Sequence, residues 1–226
     1  MKRVLIVAAT QEEIESAQIA YNDFLAVNND RCVVVEFLVT GIGSNNTTYF
    51  LTKSILDCEQ RYDYVINIGI AGAYRDDIKM GEAVIVNKEQ FADLGVVGRL
   101  GFQTLFQYEI LDANTKPYIN GALYSSKATF ELESILNLRK VSAVTVQTVT
   151  GIKEKNDEIF NRFSPDIETM EGAAFFYVCL MEDIPFLEIR GVSNIVGERD
   201  VALWHISEAC TNVQNVCLKI FNLLAE

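Results

Sequence analysis

Short apolar runs recur along this chain and alternate with longer segments in which apolar and polar positions mix. Several of the runs are continuous rather than alternating, which is typical of strands covered on both faces. The pattern predicts strands at residues 4–9, 32–40, 64–70, 82–87, 141–148 and 186–192.

The mixed segments between these runs predict helices at residues 12–22, 46–58, 153–162, 170–182 and 201–224. The last has the clearest helical period, because its apolar residues step by four and three along one face. These residues are Ile206, Cys210, Val213, Cys217, Ile220 and Leu224. Alternation of strands with helices predicts an α/β fold, a three-layer sandwich in which a mixed central sheet is flanked by helices.

The length of 226 residues, half of them apolar, suits one substantial core, so we expect a single domain over residues 1–226. The sequence has no run of about 18 uncharged apolar residues, as a membrane span would need. The first apolar run stops at Thr10 and is followed by Gln11, Glu12 and Glu13, which predicts a buried strand rather than a secretion signal. We therefore expect a cytoplasmic protein with no membrane partner.

The net charge, the single histidine and the scattered cysteines argue against several kinds of partner and cofactor. The formal net charge of −12 argues against a nucleic-acid partner, because phosphate binding requires a basic surface. With a single histidine, His205, and no clustered ligands, we expect no metal and no other cofactor, and a structural or surface role for His205. The five cysteines are scattered without a Cys-x-x-Cys pair and are expected to be reduced thiols: Cys32, Cys58, Cys179, Cys210 and Cys217.

Two glycine-containing turns follow predicted strands, at the sheet edge where α/β proteins bind ligands. The turn at residues 41–43 lacks the third glycine of a dinucleotide fingerprint, because Asn46 stands there. It is either a tight strand-to-helix turn or a point where the backbone approaches a ligand. The second turn, at residues 69–73, follows the strand predicted at residues 64–70 and has Ile70 and Ala71 between its two glycines.

A carboxylate and a carboxamide stand at two further predicted boundaries. Glu171 begins a helix in which every residue from Gly172 to Met181 is uncharged. A first-turn carboxylate can simply complement the helix dipole, but a buried one needs hydrogen-bond partners, which two vicinal sugar hydroxyls would supply. Asn194 lies just past the end of the strand predicted at residues 186–192.

The segments at residues 167–174 and 190–194 resemble the ribose- and purine-binding signature of the nucleoside phosphorylase/nucleosidase superfamily, and within it the futalosine hydrolases. The resemblance covers essentially the whole chain. It implies that Met170 and Glu171 bind the ribose and that Glu13 activates a nucleophilic water. It also implies that the purine is bound by Thr150, Gly151, Ile152, Ser193 and Asn194.

The same resemblance implies that Trp204 lines the pocket for the 5′ side of the substrate, which in futalosine carries an aromatic group with a carboxylate. Arg75, Arg99 and Arg199 are open alternatives for binding that carboxylate. Arg190 is expected to brace the loop at residues 196–200 rather than to touch the substrate. Glu198 and Arg199 could assist the reaction or simply pair at the surface. A homodimer is the family's usual assembly.

Two residues bear on reaction and substrate. A carboxylate at Glu13 would repel phosphate but can orient and deprotonate water, which favours hydrolysis over phosphorolysis. Asn194 can donate from its NH2 group to N7 and O6 of a 6-oxopurine, whereas the related methylthioadenosine nucleosidases carry aspartate at that position. Hypoxanthine or guanine is therefore expected in preference to adenine, since a mismatched buried polar group can cost about 10⁴-fold in rate.

The expected reaction is hydrolysis of futalosine to hypoxanthine and dehypoxanthine futalosine, a step that the resemblance assigns to the alternative menaquinone route. Asn194 would stabilise charge on the departing base while Glu13 directs water to C1′. Three alternatives stay open: a methylthioadenosine/S-adenosylhomocysteine nucleosidase, a purine nucleoside phosphorylase, and a nucleoside-binding protein without activity.

Overall fold

The computed structural model describes residues 1–28, 32–99, 101–125 and 127–226. Its strands are β1 (Lys2–Ala8), β2 (Val33–Val39), β3 (Tyr64–Ala73), β4 (Ala83–Phe91), β5 (Gly95–Gly98), β6 (Gly101–Thr104), β7 (Leu123–Tyr124), β8 (Arg139–Thr145), β9 (Ile167–Thr169) and β10 (Phe186–Ile195). Its helices are α1 (Gln11–Val27), α2 (Ser44–Asp57), α3 (Phe130–Leu136), α4 (Lys153–Phe163), α5 (Gly172–Met181) and α6 (Ile206–Ala225).

The central sheet is mixed and closes on itself. Its order is β10-β4-β8-β9-β3-β1-β2, and β10 also pairs with β3, so that β3, β9, β8, β4 and β10 form a ring from which β1 and β2 extend. β1 pairs with the first half of β3 and β9 with its last two residues, which brings both strands to the same edge of β3. The end of β3 is therefore flanked by β9 on one side and by β10 on the other.

Two apolar layers cover the sheet. α1, α3 and α6 pack against one face around Phe24, Leu132 and Phe221. α2 and α5 pack against the other face around Leu51 and Phe176. This arrangement confirms the predicted α/β fold with a mixed sheet between helical layers. Among the described residues, no helix is long and apolar enough to cross a membrane.

The six predicted strands and five predicted helices are present, with shifted ends. β10 continues through residue 195, so the prediction that Asn194 lies past the strand was wrong; it lies within β10, at an irregularity in the pairing with β3. The last helix begins at Ile206 rather than at residue 201, because Val201–Leu203 form a separate 3-10 turn. The short strands β5, β6, β7 and β9 and the helix α3 were not predicted.

Candidate active site

A cavity of about 220 Å³ opens at the carboxyl ends of β1, β3 and β10, with β9 along one side. This is the edge of the sheet at which ligands bind in open α/β folds. Six of the residues to which the family resemblance assigns a role line it together: Glu13, Met170, Glu171, Ser193, Asn194 and Trp204. The structure thus brings side chains from four separate parts of the chain to one cavity.

Glu13 is held at the cavity wall by three donors. It is the third residue of α1, and Thr10 is the cap of that helix. The carboxylate Oε2 accepts hydrogen bonds from the backbone N–H and the hydroxyl of Thr10, at 3.0 and 3.1 Å. Oε1 accepts from the backbone N–H of Ile70 at 3.0 Å. These contacts orient the carboxylate toward the cavity and tie the end of β1 to β3.

The turn at residues 41–43 brings its backbone to Glu171. Gly43 has a φ of 92° and its N–H donates to Oε1 of Glu171 at 2.9 Å. A positive φ of this size is readily adopted by glycine alone. Of the two interpretations of this turn, the structure therefore supports a backbone approach to the candidate site. Burial raises the pKa of Glu171, while Arg190 and the Gly43 amide lower it.

Arg190 is fully buried and lies behind the cavity, against Gly69, where a side chain would overlap both Arg190 and Glu13. Its Nε donates to Glu188 at 2.7 Å, and its Nη1 lies 3.8 Å from Oε2 of Glu171. Burial lowers the pKa of Arg190, but the surrounding carboxylates raise it by more. The expectation that Arg190 braces the loop at residues 196–200 was wrong: its guanidinium pairs with the carboxylates of Glu188 and Glu171 instead.

Glu89 is a further buried carboxylate, and it supports the start of α5 through two hydroxyl groups. Thr145 and Thr169 donate to Glu89 at 3.0 and 3.1 Å. The same hydroxyls accept hydrogen bonds from the backbone N–H groups of Ala173 and Gly172. Burial, with the neighbouring Glu188, raises the pKa of Glu89 well above its ordinary value. This network positions the segment that carries Met170 and Glu171.

Asn194 is held by its neighbours in one orientation. Its Nδ2 donates to the Ile195 carbonyl at 2.9 Å, and because a carbonyl only accepts, the nitrogen must be on that side. Its Oδ1 accepts from the Ser193 hydroxyl at 2.8 Å. One N–H is thereby used within the protein. Asn194 has one further N–H to offer a ligand, not the two that the sequence argument assumed.

The three residues predicted to contact the base through their backbone do not line the cavity, although the residue before them does. Val149 lines the cavity, whereas Thr150, Gly151 and Ile152 lie outside its wall. The Thr150 hydroxyl accepts from the Ile152 N–H, and Ile152 precedes α4 with about half of its surface exposed. Nothing in the sequence distinguished Val149 from the three residues that follow it.

The three arginines considered for the substrate carboxylate lie in different places. Arg199 lines the cavity, and its guanidinium stands 5.4 Å from the centre of the Trp204 ring. Arg75 is half-exposed and pairs with Asp166 at 3.3 Å. Arg99 is exposed beside the β5–β6 turn. His205 is half-exposed and contacts Glu208, a surface position consistent with expectation.

Glu168 is a cavity residue that the sequence argument did not single out. It lies on β9, is only 8% exposed, and its Oε2 accepts from the Tyr74 hydroxyl at 2.9 Å. In the sequence Glu168 is one of three acidic residues close together, with Asp166 and Glu171, so its charge did not distinguish it. The three-residue strand that exposes it to the cavity was too short to predict.

Known proteins are similar to this chain over most of its length. The family model of the phosphorylase superfamily matches residues 5–222. Over 193 residues the chain is 32% identical to futalosine hydrolase of Thermus thermophilus, covering 84% of this chain and 81% of that protein. It is 28% identical over 206 residues to a 5′-methylthioadenosine/S-adenosylhomocysteine nucleosidase of Marinomonas, covering 87% and 83%.

Solved structures share the fold. A mutant of futalosine hydrolase from Helicobacter pylori superposes with a TM-score of 0.79 at 16% identity, covering 98% of this chain and 99% of that one. The 5′-methylthioadenosine/S-adenosylhomocysteine nucleosidase of Colwellia psychrerythraea, in complex with adenine, gives a TM-score of 0.76 at 18% identity, covering 99% and 96%.

Proposed function

This chain belongs to the phosphorylase superfamily, and from that premise we propose that it hydrolyses the N-glycosidic bond of futalosine, releasing hypoxanthine and dehypoxanthine futalosine. The proposal extends to one nucleosidase domain over residues 1–226 in a cytoplasmic protein, as length and sequence pattern predict, and to a homodimer, as the family resemblance implies. The reaction would be a step of the alternative menaquinone route.

The observation that carries the choice of hydrolysis is the charge of the cavity wall. Glu13, Glu168 and Glu171 line the cavity, and among the described lining residues Arg199 is the one cation. Binding a phosphate nucleophile beside three carboxylates would be opposed by charge repulsion. Water needs no such compensation and is activated by a carboxylate.

The residues then act in a simple order. Glu171 accepts hydrogen bonds from the ribose hydroxyls, with Met170 against the sugar. As the N-glycosidic bond lengthens, positive charge develops on the ribose, which the nearby carboxylates stabilise. Glu13 orients water toward C1′ and takes its proton. Asn194 donates its remaining N–H to the departing base, whose negative charge is spread over its ring. The purine takes up a proton from solvent, and Glu13 releases its proton to solvent, so that neutral hypoxanthine leaves.

Trp204 and Arg199 suit the 5′ end of this substrate. An indole offers a flat apolar surface to an aromatic group, and a guanidinium pairs with a carboxylate. Arg199 is the only one of the three arginines considered that lies at the cavity. This position supports Arg199, rather than Arg75 or Arg99, as the residue that meets the substrate carboxylate.

The test is chromatography of the base released, in the absence of phosphate, from futalosine, inosine and methylthioadenosine incubated separately with the enzyme. Hypoxanthine from futalosine, with much slower release from inosine, is the expected result. Faster release of adenine from methylthioadenosine would replace the proposal with the methylthioadenosine nucleosidase activity. Release that requires phosphate would identify a phosphorylase.

A further inference from the structure

Three residues on neighbouring strands form a row across the floor of the cavity. Gly72 of β3 is in register with Asn194 of β10 on one side and with Glu168 of β9 on the other. Residues in register on adjacent strands project to the same face of a sheet. The carboxamide and the carboxylate therefore stand on either side of a position that has no side chain.

Gly72 keeps the space between them open. A Cβ at this position would lie 3.1 Å from Cγ2 of Val196 and 3.3 Å from Nδ2 of Asn194. Both distances are tighter than ordinary packing, so a side chain would press on Asn194 and occupy the floor. The glycine leaves a flat strip of backbone about two strand spacings wide, roughly 9.5 Å, between the two polar side chains.

Glu168 is prepared to accept a hydrogen bond from a ligand. The Tyr74 hydroxyl occupies Oε2 and holds the side chain in place, which leaves Oε1 for the cavity. Burial raises the pKa of Glu168, and the hydrogen bond from Tyr74 and the charge of Arg199 offset only part of that rise. In its ionised form the carboxylate has only acceptors to offer.

Asn194 by itself does not distinguish the two kinds of purine. With one N–H given to Ile195, it has one donor and one partly used acceptor left. The single N–H can donate to N7 or to O6 of a 6-oxopurine. It can equally donate to N7 of a 6-aminopurine, whose exocyclic amine then donates to Oδ1. The two purines differ again at N1, which carries a hydrogen in the 6-oxopurine and a lone pair in the 6-aminopurine.

We propose that Glu168 accepts a hydrogen bond from N1–H of the 6-oxopurine and is the residue that selects hypoxanthine over adenine. The inference rests on the proposed function, since it assigns a contact to the base of that substrate. With Asn194 at the O6 and N7 edge, the ring lies over Gly72 and its N1 side faces β9. The lone pair at N1 of adenine would face a carboxylate there, and a mismatch of this kind in a buried site is costly.

The experiment measures binding of free bases by calorimetry, so that it does not depend on futalosine turnover. Hypoxanthine, 1-methylhypoxanthine and adenine are titrated into the wild-type protein and into Glu168→Met, Glu168→Gln and Glu154→Met. Methionine matches glutamate in length but lacks the acceptor, glutamine keeps a carbonyl acceptor, and Glu154 is an exposed carboxylate on α4. Circular dichroism verifies that each variant is folded.

The proposal expects Glu168→Met to bind hypoxanthine about 10- to 100-fold more weakly, the range for one charge-assisted hydrogen bond. Glu168→Gln should lose only a few-fold, about what a neutral bond costs, and Glu154→Met should behave as the wild type. Methylation of N1 should weaken binding to the wild type much more than to Glu168→Met.

Two failures are distinguishable. If the wild type prefers hypoxanthine and Glu168→Met keeps both its affinity and that preference, the role of Glu168 is wrong and the proposed function stands. If the wild type itself prefers adenine, the assignment of a 6-oxopurine substrate is wrong, and the role of Glu168 falls with it. Should Glu168→Met be unfolded, equal weakening by Glu168→Gln of hypoxanthine and adenine binding would overturn the proposal.

Discussion

Three carboxylates line the cavity, and each accepts hydrogen bonds from different donors. Glu13 accepts from Thr10 and Ile70, Glu171 from Gly43, and Glu168 from Tyr74. Ile70 lies on β3, as does Gly72 of the cavity floor, whereas Thr10, Gly43 and Tyr74 lie outside that strand. The geometry of the site therefore depends on tertiary contacts that join distant segments of the chain.

Replacing Glu13 by glutamine is predicted to lower turnover by about 10²- to 10⁴-fold, the usual contribution of a general base. Glutamine keeps the length and an acceptor for the Ile70 N–H, so the fold should be retained. The measurement is kcat for futalosine, with Glu12→Gln, an exposed neighbouring carboxylate, as the matched control. Turnover within a few-fold of wild type would remove Glu13 from the chemistry.

Asn194→Asp is predicted to shift the preference toward 6-aminopurine nucleosides by at least about tenfold, since discrimination by buried polar groups reaches far larger factors. The change replaces the N–H donor for O6 by an acceptor that suits an exocyclic amine. The ratio of kcat/KM for inosine-type and adenosine-type substrates measures the effect. Asn222→Asp, at an exposed position on α6, is the control, and an unchanged ratio would exclude Asn194 from base recognition.

The sequence predicted the residues whose signal is local. Glu171 stands out because an uncharged helix follows it, and Glu13 because acidic residues follow the first strand. Glu168 and Val149 carry no such signal, because their exposure to the cavity depends on how β9 and the loop after β8 lie against β3. The loss of one Asn194 N–H to the Ile195 carbonyl likewise depends on an irregularity in β10.

At the scale of the elements, α1 begins with a reciprocal cap in which the Thr10 hydroxyl accepts from the Glu13 N–H and the Glu13 carboxylate accepts from Thr10. Thr10→Ala is predicted to destabilise the protein by about 1 kcal/mol, the usual value of a helix cap. It should also lower turnover, because Glu13 loses a donor that orients it.

Thr10→Ser supplies the control for this cap, since it keeps the hydroxyl. Chemical denaturation and kcat for futalosine, measured on the three proteins, test both effects. If Thr10→Ala loses stability but no activity, the cap does not position Glu13, and the two roles of the carboxylate are independent.

The buried carboxylates Glu89 and Glu188 predict that the stability of the protein depends on pH. Burial raises the pKa of both Glu89 and Glu188 in the folded protein. Their contribution to stability is therefore fully present below the pKa of an unfolded glutamate and is lost as the pH increases through the raised values. Glu89→Gln, a neutral substitute, should gain in Tm relative to the wild type as the pH increases from 5 to about 8.

Thermal unfolding of both proteins across this pH range measures the difference. Glu131→Gln, which alters an exposed carboxylate on α3, should keep a constant offset from the wild type. A constant offset for Glu89→Gln as well would mean that the protonation of Glu89 does not differ between the folded and the unfolded protein over this range.

The long elements were predictable and the short ones were not. The apolar runs of β1, β3 and β10 and the stripe of α6 are long enough for their period to be read. β9 has three residues and β7 has two, so neither contains a pattern of its own. α3 is a helix of seven residues with three acidic or small polar positions and was passed over for the same reason.

At the scale of the whole molecule, the pairing of β10 with β3, which closes the ring of strands, could not be predicted from the sequence. The pairing of β10 with β3 joins Phe186 to Val65 and continues to Ile195 and Ala73, more than one hundred residues apart along the chain. Hydrophobic periodicity identifies strands but contains no information about which distant strand is the partner. The layers followed from the alternation of elements, whereas the ring of strands that carries the cavity floor did not.

The net charge of −12 predicts an effect of salt on the capture of an anionic substrate. Futalosine carries a carboxylate and approaches a protein of the same sign, so screening by added salt should raise kcat/KM a few-fold. Inosine, which is neutral, serves as the control and should change little. The measurement is kcat/KM between low and about 0.3 M salt; a decrease for futalosine would mean that the local field of Arg199 outweighs the net charge.

The reciprocal contact between Thr10 and Glu13 has a consequence for evolution. Selection for higher activity and selection for higher stability act here on the same few atoms, because the carboxylate that caps the helix also lines the cavity. A directed-evolution experiment that rewards heat resistance alone should leave this pair untouched. One that rewards a new nucleophile should lose it early and accumulate compensating substitutions elsewhere in α1.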